Sequence, residues 1–288
     1  MRANTLPSLI LFVILALIAH TTLFRGLRFH NYLTATSNDR GEIANAPPRY
    51  IYCDFGANDG ATVDAFLKGE DTLTRADERN AANQGQTRNR GALRADLDLT
   101  SQQLWEVYVI EANPIYVDQL LEQRERLVST GGESVVKSYQ LYHSTAIGTS
   151  DGFVTFILDN NEDGAAGSTT IADSMSAVGR AINVTSLDVV TFFTHHLRVR
   201  VEDTLIVKVD IEGGEYELLR RMITHGLMQY VDKMAVEWHH DNQHVLAEPS
   251  DGNKARKAIH DRYVTYHKAL MWMLQDGGLH KKLSRWGR

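Results

Sequence analysis

The chain has 288 residues, enough for one α/β domain with a full core plus extensions. A net charge of −6 lacks the basic footprint that nucleic-acid binding requires, so no nucleic-acid partner is expected. Cys53 is the lone cysteine, which excludes an intramolecular disulfide and a cysteine-based metal cluster.

Residues 9–19 are uninterruptedly apolar and 6–24 are predominantly so, a length just sufficient to cross a bilayer. Residues 1–25 therefore read as a signal anchor that forms an N-terminal membrane-spanning helix. A cleaved signal peptide is the competing reading, although Leu17 is large where a cleavage site wants a small residue. Arg2 on one side and Arg25 and Arg28 on the other leave the orientation undecided by charge. A lumenal (Golgi or ER) or extracytoplasmic domain is expected, or a secreted one if the segment is cleaved. Residues 26–48, ending in Pro47 and Pro48, read as a stem or linker, and the folded domain as 49–288.

The stretch YIYCDFGANDG at 50–60 starts as strand-favouring residues and ends in Asp54 and two glycines. Val63, Phe66 and Leu67 then follow at helical spacing. Strand, glycine turn and helix open a Rossmann-like sheet, with the ligand beyond the carboxyl end of the strand. The glycines would let backbone approach that ligand. Their spacing does not match the GxGxxG of a dinucleotide site. It fits the D-x-G-x-x-x-G form associated with S-adenosylmethionine.

Residues 69–103 are polar and nearly empty of large apolar groups, so they read as an insertion in the domain. A second strand over 104–111 ends in Glu111, and Asn113-Pro114 starts a helix over 114–128. A carboxylate at that tip suits a ribose diol, because it accepts two hydrogen bonds at once. Its other reading is a first-turn acid favoured by the helix dipole. A strand is expected over 138–147, then a tight turn and a strand at 153–158 in a hairpin-like detour, then an exposed loop over 159–180. A short helix capped by Ser186 follows.

The stretch TLIVKVDIEGGEYELLRR at 204–221 reads as a buried parallel strand, a glycine turn and a helix. If the strand stays extended through Glu212, then Lys208, Asp210 and Glu212 share one side. Paired acids at that edge suit general-base work or metal binding, unless Glu212 and Glu215 only decorate a helix N-terminus. A strand over 233–240 ends in Glu237 and His239. An amphipathic helix over 254–275 and one last strand in 279–286 complete the chain.

DFGANDG, VYVIEANP, STAIG, VTSLD, LIVKVDIEGGEYELL and AVEWH occur in the order seen in the FkbM-like S-adenosylmethionine-dependent methyltransferases, which residues 50–240 resemble. The resemblance implies an α/β, Rossmann-like class I methyltransferase sandwich with a mostly parallel sheet. It implies that Asp54, Gly56, Asn58 and Gly60 wrap the methionine end of the cofactor. Glu111 would take the ribose and Asn113 the adenine, with His143, Ser144 and Thr145 as the third wall of the adenine pocket. Asp210, Glu212 and His239 would be catalytic, acting as bases or, as Asp210, Glu237 and His239, holding a divalent metal. The activity implied is O-methylation of a hydroxyl on a glycan or small metabolite. Two alternatives stay open: a non-catalytic module on the same fold, and a nicotinamide-dependent oxidoreductase.

Overall fold

Strand β1 (Tyr50–Phe55) is buried on both faces because it is central: it pairs in parallel with β2 (Trp105–Glu111) on one side and β7 (Thr204–Val209) on the other. The computed structural model describes residues 46–69, 103–129, 135–159 and 179–239, together with 261, 265, 268–275, 278 and 282–286 near the C-terminus. The expected anchor, most of the stem and most of the polar insertion lie outside the described residues. Among the described residues no helix is long and apolar enough to cross a membrane.

The main sheet also contains β3 (Val136–His143), β8 (Lys233–Glu237) and β9 (Leu283–Trp286), in the order β3-β2-β1-β7-β8-β9 and parallel throughout. From β1 the chain first builds outward through β2 and β3, then returns to build the other half through β7, β8 and β9. The reversal between β1 and β7 is a topological switch point, where the loops leaving the strand ends part to form a crevice. Asp54 and Glu111 stand on neighbouring strands at that edge.

Alternation along β1 divides the core. Ile51, Cys53 and Phe55 face a cluster with Val207, Val209, Leu218, Leu219 and Met222. Tyr52 faces the opposite cluster, with Val63, Phe66, Leu120 and Tyr139. Helices α1 (Ala61–Lys68) and α2 (Val117–Ser129) supply the second cluster, and α3 (Glu215–Thr224) the first. Each fully buried Leu or Phe contributes about 1.5–3 kcal/mol relative to exposure. Near the C-terminus, helical Leu270 and Leu274 pack into the first cluster, as their spacing predicts.

Four local expectations are corrected. The strand expected over 138–147 is two strands, because Ser144 adopts φ 49° and turns the chain into β4 (Thr145–Gly148) of a second sheet. Strand β4 does not form a hairpin with β5 (Gly152–Asp159): both pair with β6 (Gly179–Asp188), which lies between them. Residues 179 and 180, expected in a loop, belong to β6. The helical turn Val189–Thr191 is capped by Asp188, whose carboxylate accepts from the N–H of Val190. Ser186 is still strand there, and its hydroxyl donates to the carbonyl of Ser150.

Candidate active site

The first turn, after β1, is shaped by its protein neighbours. Gly56 has φ 77°, and a Cβ on it would stand 1.8 Å from the carbonyl oxygen of Asp210. Gly60 has φ 81°, and a Cβ there would meet the side-chain amide of Gln123 at 2.5 Å. Both glycines are required by protein neighbours, Gly56 by the turn after β7 and Gly60 by α2. Gly56 and Asn58 line the cavity described below; Gly60 does not.

Asp54 departs further from its expected role. Alternation along β1 turns its side chain towards α1, where it is completely buried and accepts from the hydroxyl of Thr62. Lys208 stands directly opposite on β7, equally buried, with Nζ 3.2 Å from Asp54 Oδ1 and 3.2 Å from Asp210 Oδ2. The same ammonium donates to the carbonyl of Gly56. Burial alone would lower the lysine pKa, but Asp210 and Asp54 outweigh it and raise it, so the cation persists. Burial pushes the Asp54 carboxyl up, with Lys208 and Thr62 opposing. Asp54 thus ties β1 to β7 beneath the site and does not line the cavity.

Glu111 stands where the sequence places it, at the tip of β2, and it lines a cavity of about 290 Å³. One oxygen accepts the N–H of Asn58 at 2.7 Å and the other that of Asn113 at 2.6 Å. Burial raises its pKa, and these two amides oppose the rise. Each oxygen keeps a second lone pair. Asn58 sits at φ 55°, which turns its N–H onto the carboxylate. The side-chain oxygen of Asn113 is committed to the N–H of Ile115, capping the turn before α2, while the residue itself lines the cavity. Ser144 does not line the cavity; Thr145, Ala146 and Ile147 of β4 do. Phe153 and Phe156 of β5 and Ser186 of β6 complete that wall. Thr145 was expected in that wall; the other residues were not, because a strand inserted from a second sheet has no signature in the Rossmann pattern.

The opposite wall is the turn after β7. The strand ends at Val209, so Asp210 and Glu212 are not brought together by an extended chain. Glu212 instead adopts φ 54°, and Gly213 φ 104° reverses the chain into α3. Asp210 and Glu212 still converge on one atom: His239 Nε2 lies 3.6 Å from Asp210 Oδ1 and 3.3 Å from Glu212 Oε2. The other imidazole nitrogen, Nδ1, is 2.8 Å from Glu215 Oε1.

Glu215 is the residue that sequence reasoning undervalued. Read as a possible surface acid of a helix first turn, it is in fact fully buried. Its carboxylate accepts from the N–H groups of Ile211 and Gly213, fixing the turn, and holds His239 from behind. Burial alone would lower the imidazole pKa, but Glu215 and then Glu212 outweigh it and hold it well above the usual value. Glu237, at the tip of β8, is raised to about 7, by burial first and by Asp210 second. Among the described residues, ligand atoms close enough to share a metal come from Asp210, Glu212 and His239. Glu237, expected in that set, does not join it, because the reversed turn brings Glu212 there instead.

The arrangement is a nucleoside-sized cavity that carries an acceptor carboxylate at one end and an acid–imidazole cluster at the other. The methyltransferase FkbM domain model matches residues 54–277, most of the chain and every residue of this site. No curated protein and no solved structure shows significant similarity. The match places the chain in the FkbM methyltransferase domain family.

Proposed function

We propose that this member of the FkbM methyltransferase family binds S-adenosylmethionine in the cavity and methylates a hydroxyl on a glycan or small metabolite. The observation that carries the reading is Glu111, a buried carboxylate at the switch-point edge, held by two backbone amides and open to the cavity. Its remaining lone pairs suit a ribose diol, and Ile110, Ala112, Ile147 and Phe156 give the cavity an apolar lining suited to a purine. Asn58, Gly56, Asp210 and Glu212, which also line the cavity, would hold the methionine end.

The cofactor supplies a methyl group on a sulfonium leaving group. The chain's task is then to hold the acceptor oxygen in line behind that methyl and to receive its proton. Asp210 and Glu212 line the cavity, with His239 buried behind them. Glu215 orients the imidazole so that Nε2 faces both carboxylates, and this cluster is where the acceptor proton would be lost. The apolar run at 9–19 favours a membrane-held lumenal domain, and with it a glycan acceptor.

Isothermal titration of the full chain with S-adenosylmethionine tests the cofactor assignment. Micromolar binding is expected, weakened about 10- to 100-fold by Glu111→Gln, as removal of a charged hydrogen-bonding partner implies. Transfer of labelled methyl to a panel of glycans tests the acceptor class. Absence of cofactor binding by the wild-type chain would refute the assignment.

A further inference from the structure

We propose that Asp210, Glu212 and His239 bind one divalent metal ion of the manganese type at the mouth of the cavity, with open coordination positions directed to the acceptor. The metal-binding half stands on the geometry alone, while the role towards the acceptor rests on the methyl-transfer reading above.

The separations carry the argument. His239 Nε2 lies 3.3 Å from Glu212 Oε2 and 3.6 Å from Asp210 Oδ1, and the three ligand atoms all lie within 4.8 Å of one another. Ligands about 2.1 Å from a common ion stand roughly 3.0 Å apart at right angles and roughly 3.4 Å apart in a tetrahedron. The two separations lie close to that range and are longer than the about 2.7–2.9 Å of a strong imidazole–carboxylate hydrogen bond, so a shared ion fits between these atoms.

Three further features prepare each ligand. Glu215, fully buried, holds His239 Nδ1 at 2.8 Å, which leaves Nε2 as the coordinating atom and fixes its direction. A carboxylate behind a ligating histidine is the usual outer-shell support of a metal site. Lys208 engages Asp210 Oδ2 at 3.2 Å, leaving Oδ1 turned to the cluster. Asp210 and Glu212 both line the cavity, so coordination positions not filled by protein open onto the space where an acceptor would lie. Asp54, Asp210, Glu212, Glu215 and Glu237 crowd one lysine and one imidazole, an excess of negative charge that a divalent ion offsets. Carboxylate oxygen combined with a single imidazole suits manganese or magnesium better than a thiolate-seeking ion.

The chemistry such an ion adds is acidification of a bound hydroxyl. The acceptor oxygen would pass its proton to the carboxylate oxygen of Glu212 that does not ligate the ion, and form the new O–CH3 bond with a lone pair. The S–CH3 bond breaks with its electron pair remaining on sulfur. No oxidant or further reactant is needed.

Electron paramagnetic resonance titration of the full chain with Mn2+, after removal of metals with EDTA, tests the site. One ion per chain with micromolar affinity is expected. Glu212→Gln should weaken binding at least tenfold, and His239→Gln should abolish it. Circular dichroism melts of both variants establish that they are folded, and Glu212, on a partly exposed turn, carries the test if the buried histidine variant does not fold. Mn2+ bound no better by the wild-type chain than by Glu212→Gln overturns the inference. Cofactor titration of the same samples separates the two readings. Cofactor binding without Mn2+ binding sinks the metal site alone, whereas Mn2+ binding without cofactor binding sinks the methyl-transfer reading and leaves the metal site standing.

Discussion

Lys208→Met removes the cation that lies between Asp54 and Asp210, and its consequence can be worked from the structure. Lys208 and Asp54 are essentially inaccessible to solvent, and Nζ lies 3.2 Å from each of Asp54 and Asp210. At an effective dielectric constant of about 20 each contact is worth about 5 kcal/mol of Coulomb energy. Desolvation of the ammonium and of Asp54 cancels several kcal/mol per ion, so the gross attraction is not the net contribution. The asymmetry decides the outcome. Methionine fills the volume but leaves Asp54 buried without a counter-charge, and breaking a buried pair from one side costs about 3–5 kcal/mol. Urea unfolding at pH 7 should register that loss. In the variant, burial holds the Asp54 pKa above its unfolded value with no lysine opposing. Such a carboxyl penalises folding increasingly as pH rises above the unfolded value, so the defect should shrink by about 1–2 kcal/mol between pH 7 and pH 5. Asp54→Asn in the same background should recover part of the loss at pH 7. A defect below about 1 kcal/mol, or one that does not vary with pH, would refute the account.

The two turn glycines should differ in tolerance. Gly56→Ala drives a Cβ into the Asp210 carbonyl, a backbone atom, and should cost about 3 kcal/mol or more; Gly60→Ala meets the movable end of Gln123 and should cost about 1–2 kcal/mol. Equal urea midpoints for the two variants would contradict that ranking. Acid stability is predicted to depend on Asp203, which is buried between Arg49 and Arg200. Burial alone would raise this carboxyl, but hydrogen bonds from the two arginines outweigh it and hold it at about 2. A depressed carboxyl stabilises above its unfolded pKa and loses that contribution as pH falls through the folded one. About 2 kcal/mol should therefore disappear between about pH 4 and pH 2 in the wild type, and Asp203→Asn should remove that step from a series of urea midpoints.

Strands β1, β2 and β7 were legible because strands buried on both faces of a parallel sheet need apolar runs, and Ile51–Cys53 and Leu205–Val207 supply them. Glu111 was legible for a related reason: an acid that ends such a run is at the sheet edge. What could not be read was cross-chain pairing. Nothing near Asp54 announces that Lys208, 154 positions later, falls opposite it in register. Asp54 therefore read as a ligand contact rather than as half of a buried ion pair. Strand β6 was hidden differently. Its exposed face carries Asn183 and Thr185, and only Val184 and Leu187 mark the buried side over that stretch. Glu215 was misjudged because an acid in the first turn of a helix is ordinarily a solvated partner of the helix dipole. Its buried partner is His239, which the chain brings from just beyond β8 and which nothing near Glu215 foreshadows.

These corrections make the segment from Lys208 to Glu215 one physical unit. Lys208 faces into the protein and anchors Asp210 to β1; Glu215 faces back, fastens the turn through the amides of Ile211 and Gly213, and holds the imidazole. Glu212 stands at the cavity beside Asp210, in a left-handed conformation that the turn imposes. Stability and chemistry are therefore divided among residues only two or three positions apart. Loss of Lys208 or Glu215 removes a buried partner and must weaken the fold, whereas loss of the Glu212 carboxylate removes a charge from a partly exposed turn and leaves the core intact. Rigid support beneath a polar cluster is what preorganisation requires, since groups that must meet a developing charge gain most when they do not have to move. The buried ion pair under Asp210 and the buried carboxylate behind His239 supply that rigidity from two directions, which explains why so many ionisable groups are drawn out of water at one edge of this sheet.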